Sequence, residues 1–293
     1  GFSLDGAEAV IQLPDDAPWT LDIIEALRDK SLLRVTEPDE LPGEVRFGMY
    51  DSIREYAAER LAQMALTEAT QDRHATWVLQ QAGALFARVR GYGGLANFLQ
   101  LAVETDNLLA ILHRRRTSHP AQCLQATLML GPVLRTRGPN ILYKRLLDEA
   151  IAIAIDQGDA AAQARLRIDR AVLLRLQGQP DAARKELGKA LPLIPESDPE
   201  AEVEALSVLG TTNSDQGRID EAEAIIQTAL FRAEEHNLTR LRGVLCGQLA
   251  AYSIDRGRME DAEARCLEAV RLLGEAGDEV SMATNLSNLG LLY

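Results

Sequence analysis

From residue 121 onward the apolar positions recur with helical spacing, and glycines interrupt them at a near-constant interval. Four segments align: "LGPVLRTRGPNILYKRLLDEAI", "RAVLLRLQGQPDAARKELGKAL", "LGTTNSDQGRIDEAEAIIQTAL" and "LAAYSIDRGRMEDAEARCLEAV". Each has a small residue followed seven positions later by Gly: Gly131/Gly138, Ala171/Gly178, Gly210/Gly217 and Ala250/Gly257. Successive second glycines are 40, 39 and 40 residues apart. Ala183, Ala222 and Ala262 stand five residues after the last three glycines, and Ala190, Ala229 and Ala269 seven beyond those. A fifth unit begins at "NLSNLGLLY", with Gly290 forty residues after Ala250.

This pattern predicts a pair of helices per unit. The small residue lets the second helix come close to the first, and the later Gly supplies the turn between them. Two alanines seven apart lie on one face of the second helix, where the next unit docks. No pair buries its face alone, so the units stack into an α-solenoid. The alternating "IAIAI" at Ile151–Ile155 reads as strand by itself, but the repeat register makes it the end of a second helix. The unit near residue 124 departs from the rule: Pro132 falls inside its first helix, and Tyr143 stands where Ala is expected. Gly210, Ala250 and Gly290 are expected at closest helix–helix approach, and Glu223 on an exposed face.

The first 66 residues have another texture. "GFSLDGAEAVI" predicts a short helix capped by Ser3. "PDDAPWTLDIIEALRDKSLL" predicts a second helix, with Leu21, Ile24, Leu27 and Leu32 or Leu33 as its buried stripe. "SLLRVTE" and "EVRFGMY" read as two strands around a Pro/Gly/acid-rich turn, followed by a helix over "SIREYAAERLAQM". Helix, helix, hairpin, helix is most of a winged helix. The chain is therefore expected to be mainly α. A winged-helix-like module covers 1–66, a helical connector 67–120 and repeats 121–293.

Charge narrows the function. The chain carries 31 bases against 44 acids, a formal net charge of −13, and residues 1–66 hold fourteen acids to six bases. Such a surface repels phosphates, so direct nucleic-acid contact is not expected even from a winged helix. The basic run "HRRRTSH" reads as a helix C-terminus, where cations meet the negative end of the dipole. No signal peptide and no apolar run long enough for a membrane span is visible. Three well-separated cysteines argue for a reducing cytoplasm over a disulfide framework. There is no G-x-x-x-x-G-K-[ST] loop, zinc spacing or nucleophile motif, so no catalytic residue, metal or cofactor is assigned to this chain. "GYGG" at Gly91–Gly94 reads as an interhelical turn.

The form "LGxxxxxxGrxxEAexxxxxAL" resembles the tetratricopeptide repeat, in the long-helix variety of kinesin light chains and bacterial signalling ATPases. "GFSLDGAEAV", "LRDKSLLRV" and "RFGMYDSIREYAAERL" resemble the winged-helix module of STAND ATPases, the large multidomain signalling NTPases. "RHATWVLQQA" and "ETDNLLAIL" are similar to the helical segment that follows in those proteins. The resemblance implies a regulatory fragment of a bacterial transcriptional or signalling regulator. Its repeats would bind a protein, peptide or small ligand and control an upstream NTPase domain holding ATP or ADP. The alternative is a repeat scaffold without a nucleotide switch. At "MYD" the family carries Met-His-Asp, whose His reaches the nucleotide; Tyr50 replaces it here. Tyr50 is then either a nucleotide contact or an aromatic packed in the winged-helix core. In tetratricopeptide arrays the first helices line the concave face. The resemblance so implies a partner surface of Arg165, Ile168, Val172 and Arg175 in one unit, and Glu204, Ser207, Thr211 and Ser214 in the next. Val244, Gly247, Ala251 and Ile254 follow. With its two arginines, such a lining suits a segment with an acidic end and an apolar end.

Overall fold

The computed structural model describes residues 1–293. The chain is mainly helical and forms two compact units, Gly1–Ala87 with Ala96–Leu130, and Arg88–Leu95 with Gly131–Tyr293.

In the first unit, α1 (Leu4–Val10) and α2 (Thr20–Asp29) precede a hairpin of β1 (Leu33–Thr36) and β2 (Arg46–Met49), and α3 (Asp51–Gln63) follows. Ser3 caps α1, its hydroxyl accepting from the Gly6 amide at 3.1 Å. The strands are antiparallel, with Leu33 opposite Met49 and Val35 opposite Phe47. Phe2 joins the edge of β2 through two backbone hydrogen bonds with Phe47. The core gathers Ala7, Ile24 and Leu33, with Phe2, Leu27, Phe47 and Met49 around them. Ile24 and Leu33 of the expected stripe are buried, whereas Leu21 is 43% exposed. Leu21 lies in the first turn of α2, away from the end that leads into β1.

The unit continues with α4 (Thr67–Arg88), α5 (Gly94–Val103), α6 (Thr105–Arg115) and the start of α7 (Pro120–Arg137). Gly6 lets α1 press on α4: a Cβ there would come 2.9 Å from the Trp77 ring. Arg46 donates to Glu104 at 2.6 Å, with both side chains almost wholly buried. The Gly1 carbonyl takes a second bond from the same guanidinium. The basic run is indeed a helix end: α6 stops at Arg115, which is buried and pairs with Asp72.

The second unit is the repeat array. α7 and α8 (Asn140–Asp156) begin it. Then come α9 (Ala160–Leu176) with α10 (Pro180–Ala190), α11 (Pro199–Ser214) with α12 (Ile219–Glu235), and α13 (Thr239–Asp255) with α14 (Met259–Ala276). α15 (Glu279–Leu292) is the first helix of a fifth pair. Ile151–Ile155 is helical, as the register required. Gly138, Gly178, Gly217 and Gly257 have φ of 72, 70, 75 and 69°, the left-handed conformation that turns each first helix into its second. Ala183, Ala222, Ala262, Ala190, Ala229 and Ala269 are fully buried. Gly210 lies at a close approach, where a Cβ would stand 2.4 Å from Ile226 Cδ1, and Ala250 is fully buried. Gly290 does not: nothing lies within 4 Å of its Cβ position. It sits on α15, and no helix among residues 1–293 packs against that position. Glu223 also departs from expectation. Its side chain is 12% exposed and meets Arg256 and Arg258, which follow the first helix of the next unit.

α10 is shorter than its counterparts. Pro192 ends the α-helical hydrogen bonding, and a 3₁₀ turn at Leu191–Leu193 leads into a longer connection. In the first pair Pro132 is accommodated within α7. Tyr143 is fully buried there.

Candidate partner-binding surface

Within the array, α9 touches α11, α11 touches α13, and α13 touches α15. The first helices therefore form a layer of their own, backed by the second helices. Turns on the other side of each unit keep this layer in register. Gly158, Asn237 and Gly277 take positive φ there, at 68, 54 and 72°. Asp159, Asp198 and Asp278 cap the first helices that follow, each accepting from an amide three residues on. The sequence carries this signal as Gly158-Asp159, Ser197-Asp198 and Gly277-Asp278, 39 and 80 residues apart, one and two repeat lengths. The glycine spacing alone did not bring it out.

A row of charges crosses the layer: Arg135, Asp169, Glu204 and Arg240 from the first helices, and Asp278 from the cap of α15. Arg135 pairs with Asp169, which also accepts from the Tyr143 hydroxyl at 2.9 Å. Arg240 donates to Glu204 at 3.3 Å and stands 3.9 Å from Asp278. Burial pushes the Tyr143 phenol well above its ordinary pKa, and the neighbouring Asp169 charge adds to the effect. It is a neutral donor at physiological pH. Arg90 brings a further cation, donating to Glu204 at 2.6 Å.

The residues expected to line a partner surface fall into three groups. Arg165 and Arg175 are already neutralised between units. Arg165 makes a two-pronged pair with Asp198 at 2.8 and 2.9 Å, and Arg175 donates to Asp215 at 3.1 Å. Ile168 and Ser207 are buried, at 6% and 8% exposure. Ile168 belongs to the core between α9 and α10, and Ser207 exchanges hydrogen bonds with Gln248 of α13. Val172, Thr211, Ser214 and Glu204 are part-exposed on the first helices. Thr211 turns its hydroxyl back to its own helix, accepted by the Ser207 and Val208 carbonyls. Of the eight, Glu204 alone joins the charged row. Among the next unit's positions Gly247 is buried, facing Asn285 of α15. Sequence spacing placed all eight on the right helices. It could not show that acids of the following unit would meet both arginines.

Tyr50 occupies the N-cap position of α3 and is 51% exposed. It does not pack into a core, because no residue of α3 is itself buried. Cys123, Cys246 and Cys266 are free and buried, and burial raises all three thiol pKa values. No group of three or more His, Cys, Asp or Glu is placed to hold a metal ion. No helix is long and apolar enough to cross a membrane.

Neither a protein-family model nor a curated protein sequence matches the chain. Solved structures that share its fold include these two. BtubC (BKLC) from P. vanneervenii aligns over 67% of this chain and 81% of its own, at 14% identity and a TM-score of 0.51. A Signal Transduction ATPase with Numerous Domains (STAND) protein with a tetratricopeptide repeat sensor, from Pyrococcus horikoshii, aligns over 99% of this chain at 16% identity and a TM-score of 0.51. The chain spans about half, 51%, of that protein's length. The fold is that of a tetratricopeptide-type helical repeat protein preceded by a small module with one β-hairpin.

Proposed function

We propose that this chain is the sensor part of a STAND-type signalling ATPase, a cytoplasmic transcriptional or signalling regulator. The first-helix layer of its repeats would bind a protein or peptide segment. The winged-helix-like module would lie between the repeats and an NTPase core outside these 293 residues, where ATP and ADP would bind. Partner binding would control that core by favouring one of its two nucleotide states, which requires unequal affinity for the two.

The observation that supports this reading is the extent of the structural likeness. A plain repeat scaffold would account for a match limited to the array. The likeness to the STAND protein runs through the hairpin module and the helices after it as well, over 99% of the chain. The scaffold reading remains the alternative, and one experiment separates the two. The natural gene product is purified and assayed for bound ADP, then for ATP hydrolysis with and without residues 131–293. Retained ADP, with hydrolysis that rises when the array is deleted, supports the switch. A product that holds no nucleotide leaves the scaffold.

A further inference from the structure

The segment Arg88–Leu95 joins α4 to α5 in sequence, yet it clusters with the repeats. It lies there as a strap. Arg90 reaches Glu204 of α11 at 2.6 Å. The Tyr92 hydroxyl donates to the carbonyls of Gly274 and Glu275 at 3.1 and 3.2 Å, at the C-terminal end of α14. Its ring closes over the turn before α15, where a Cβ on Gly277 would come 2.5 Å from Tyr92 Cγ. Glycine at 277 thus serves two needs, a φ of +72° and room for an aromatic ring. Between the two anchors stands Arg240, bonded to Glu204 on one side and near Asp278 on the other.

Charge explains why the strap needs a cation. The row across the layer holds two bases, Arg135 and Arg240, and three acids, Asp169, Glu204 and Asp278. Arg90 balances it. Yet the seat is shallow, with Arg90 half-exposed and Tyr92 69% exposed. Exposed ion pairs of this kind hold weakly and are screened by salt. A segment of the same chemistry from another protein can take the place.

We propose that Glu204, Arg240 and the Gly274–Asp278 turn form a recognition site for a protein segment carrying a guanidinium and, two residues further on, an aromatic side chain, and that Arg90 and Tyr92 fill this site as an internal stand-in. The arginines first expected to attract an acidic partner are paired within the array, so the free chemistry of the layer calls for a cation instead. This inference rests on the reading of the first-helix layer as a partner surface. Its test reads peptide binding to this chain alone and is blind to any ATPase, so either can fail without the other.

The probe is a fluorescein-labelled peptide of the strap's own sequence, FARVRGYGGLAN. Three proteins are titrated by fluorescence anisotropy: wild type, Arg90→Ala/Tyr92→Ala, and the same with Glu204→Gln added. The emptied variant is expected to bind saturably. Wild type should bind at least about tenfold more weakly, because its tethered strap competes at high effective concentration. Adding Glu204→Gln, or replacing the peptide's first-anchor arginine by alanine, should weaken binding by roughly three- to tenfold. Thermal melts establish that each variant is folded; if the double alanine variant is not, Arg90→Gln/Tyr92→Phe replaces it with the same readout. Equal binding to wild type and emptied protein, or no saturable binding to a folded emptied variant, overturns the proposal.

Discussion

Gly131 and Tyr143 share one space: a Cβ on Gly131 would lie 2.8 Å from the Tyr143 hydroxyl oxygen. The first pair of the array keeps a small residue on its first helix but departs from the alanine rule on its second. Where the other units place Ala on the second helix, this one places a buried phenol, and the first helix gives up its side chain to admit it. The hydroxyl then donates to Asp169, which Arg135 also holds. The deviation is a compensated exchange, so the two residues should be coupled. Gly131→Ala should destabilise by about 1–3 kcal/mol through overpacking. Tyr143→Phe should cost about 1 kcal/mol for the lost hydrogen bond. The double variant should fall short of the sum by at least ~0.5 kcal/mol, since Phe leaves room for the new methyl. Urea unfolding of all four proteins measures the cycle; strict additivity would mean the two side chains do not meet.

Much of the array was legible because its spacing is set by backbone necessity. A left-handed residue must end each first helix, and only Gly adopts that conformation freely, so Gly138, Gly178, Gly217 and Gly257 mark the turns in the sequence itself. The buried alanines follow from the same period. The candidate site was less legible. Its geometry depends on which charged side chains meet across units, as Arg165 meets Asp198 and Arg256 meets Glu223. Long flexible side chains choose partners by reach and competition, which periodicity does not encode. The strap is the extreme case. "GYGG" reads correctly as a turn between helices, but its contact with Gly274, some 180 residues away in the chain, has no local signal.

Glu186 is a hub for three cations. It accepts from Arg167 at 2.9 Å, from Arg170 and from Lys189 at 3.0 Å, with its side chain 9% exposed. Burial alone would raise its pKa, but the bonds from Arg170 and Lys189 outweigh burial and hold it below the ordinary value. A carboxylate with a depressed folded pKa stabilises above its unfolded pKa and loses that contribution as pH falls through the folded one. Glu186→Gln should therefore destabilise at pH 7, near the lower end of the ~3–5 kcal/mol seen when a buried pair loses one partner. Its acid limb below about pH 4.5 should be shallower than that of wild type. Urea midpoints across the acid range would reveal the difference, and parallel curves would remove Glu186 from the account.

Gly210 and Gly290 occupy the same place in their units but not the same surroundings. A methyl on Gly210 would meet Ile226 Cδ1 at 2.4 Å, whereas one on Gly290 would meet nothing. Gly210→Ala should cost about 1–3 kcal/mol by overpacking, more than any gain in helix propensity returns. Gly290→Ala should cost nothing and stabilise by up to ~1 kcal/mol, less near a fraying helix end. Thermal melts of the two variants should move in opposite directions. A loss of stability at Gly290 equal to that at Gly210 would show that its face is covered in solution.

Tyr50 stands where the resemblance implies a nucleotide contact. Its side chain is 51% exposed at the start of a helix with no buried residue. Two outcomes follow. Tyr50→Phe should leave the melting behaviour of the chain within about 0.5 kcal/mol of wild type, because an exposed hydroxyl with no buried partner contributes little. The unmodified chain should give no micromolar binding isotherm with ATP or ADP, since it carries no phosphate loop to cradle the charged end of the ligand. Titration calorimetry with each nucleotide, with magnesium present, checks the second. Micromolar heat from either nucleotide that vanished in the Phe variant would assign the contact to the phenol within this chain. It would also overturn the assignment of nucleotide binding to a separate core.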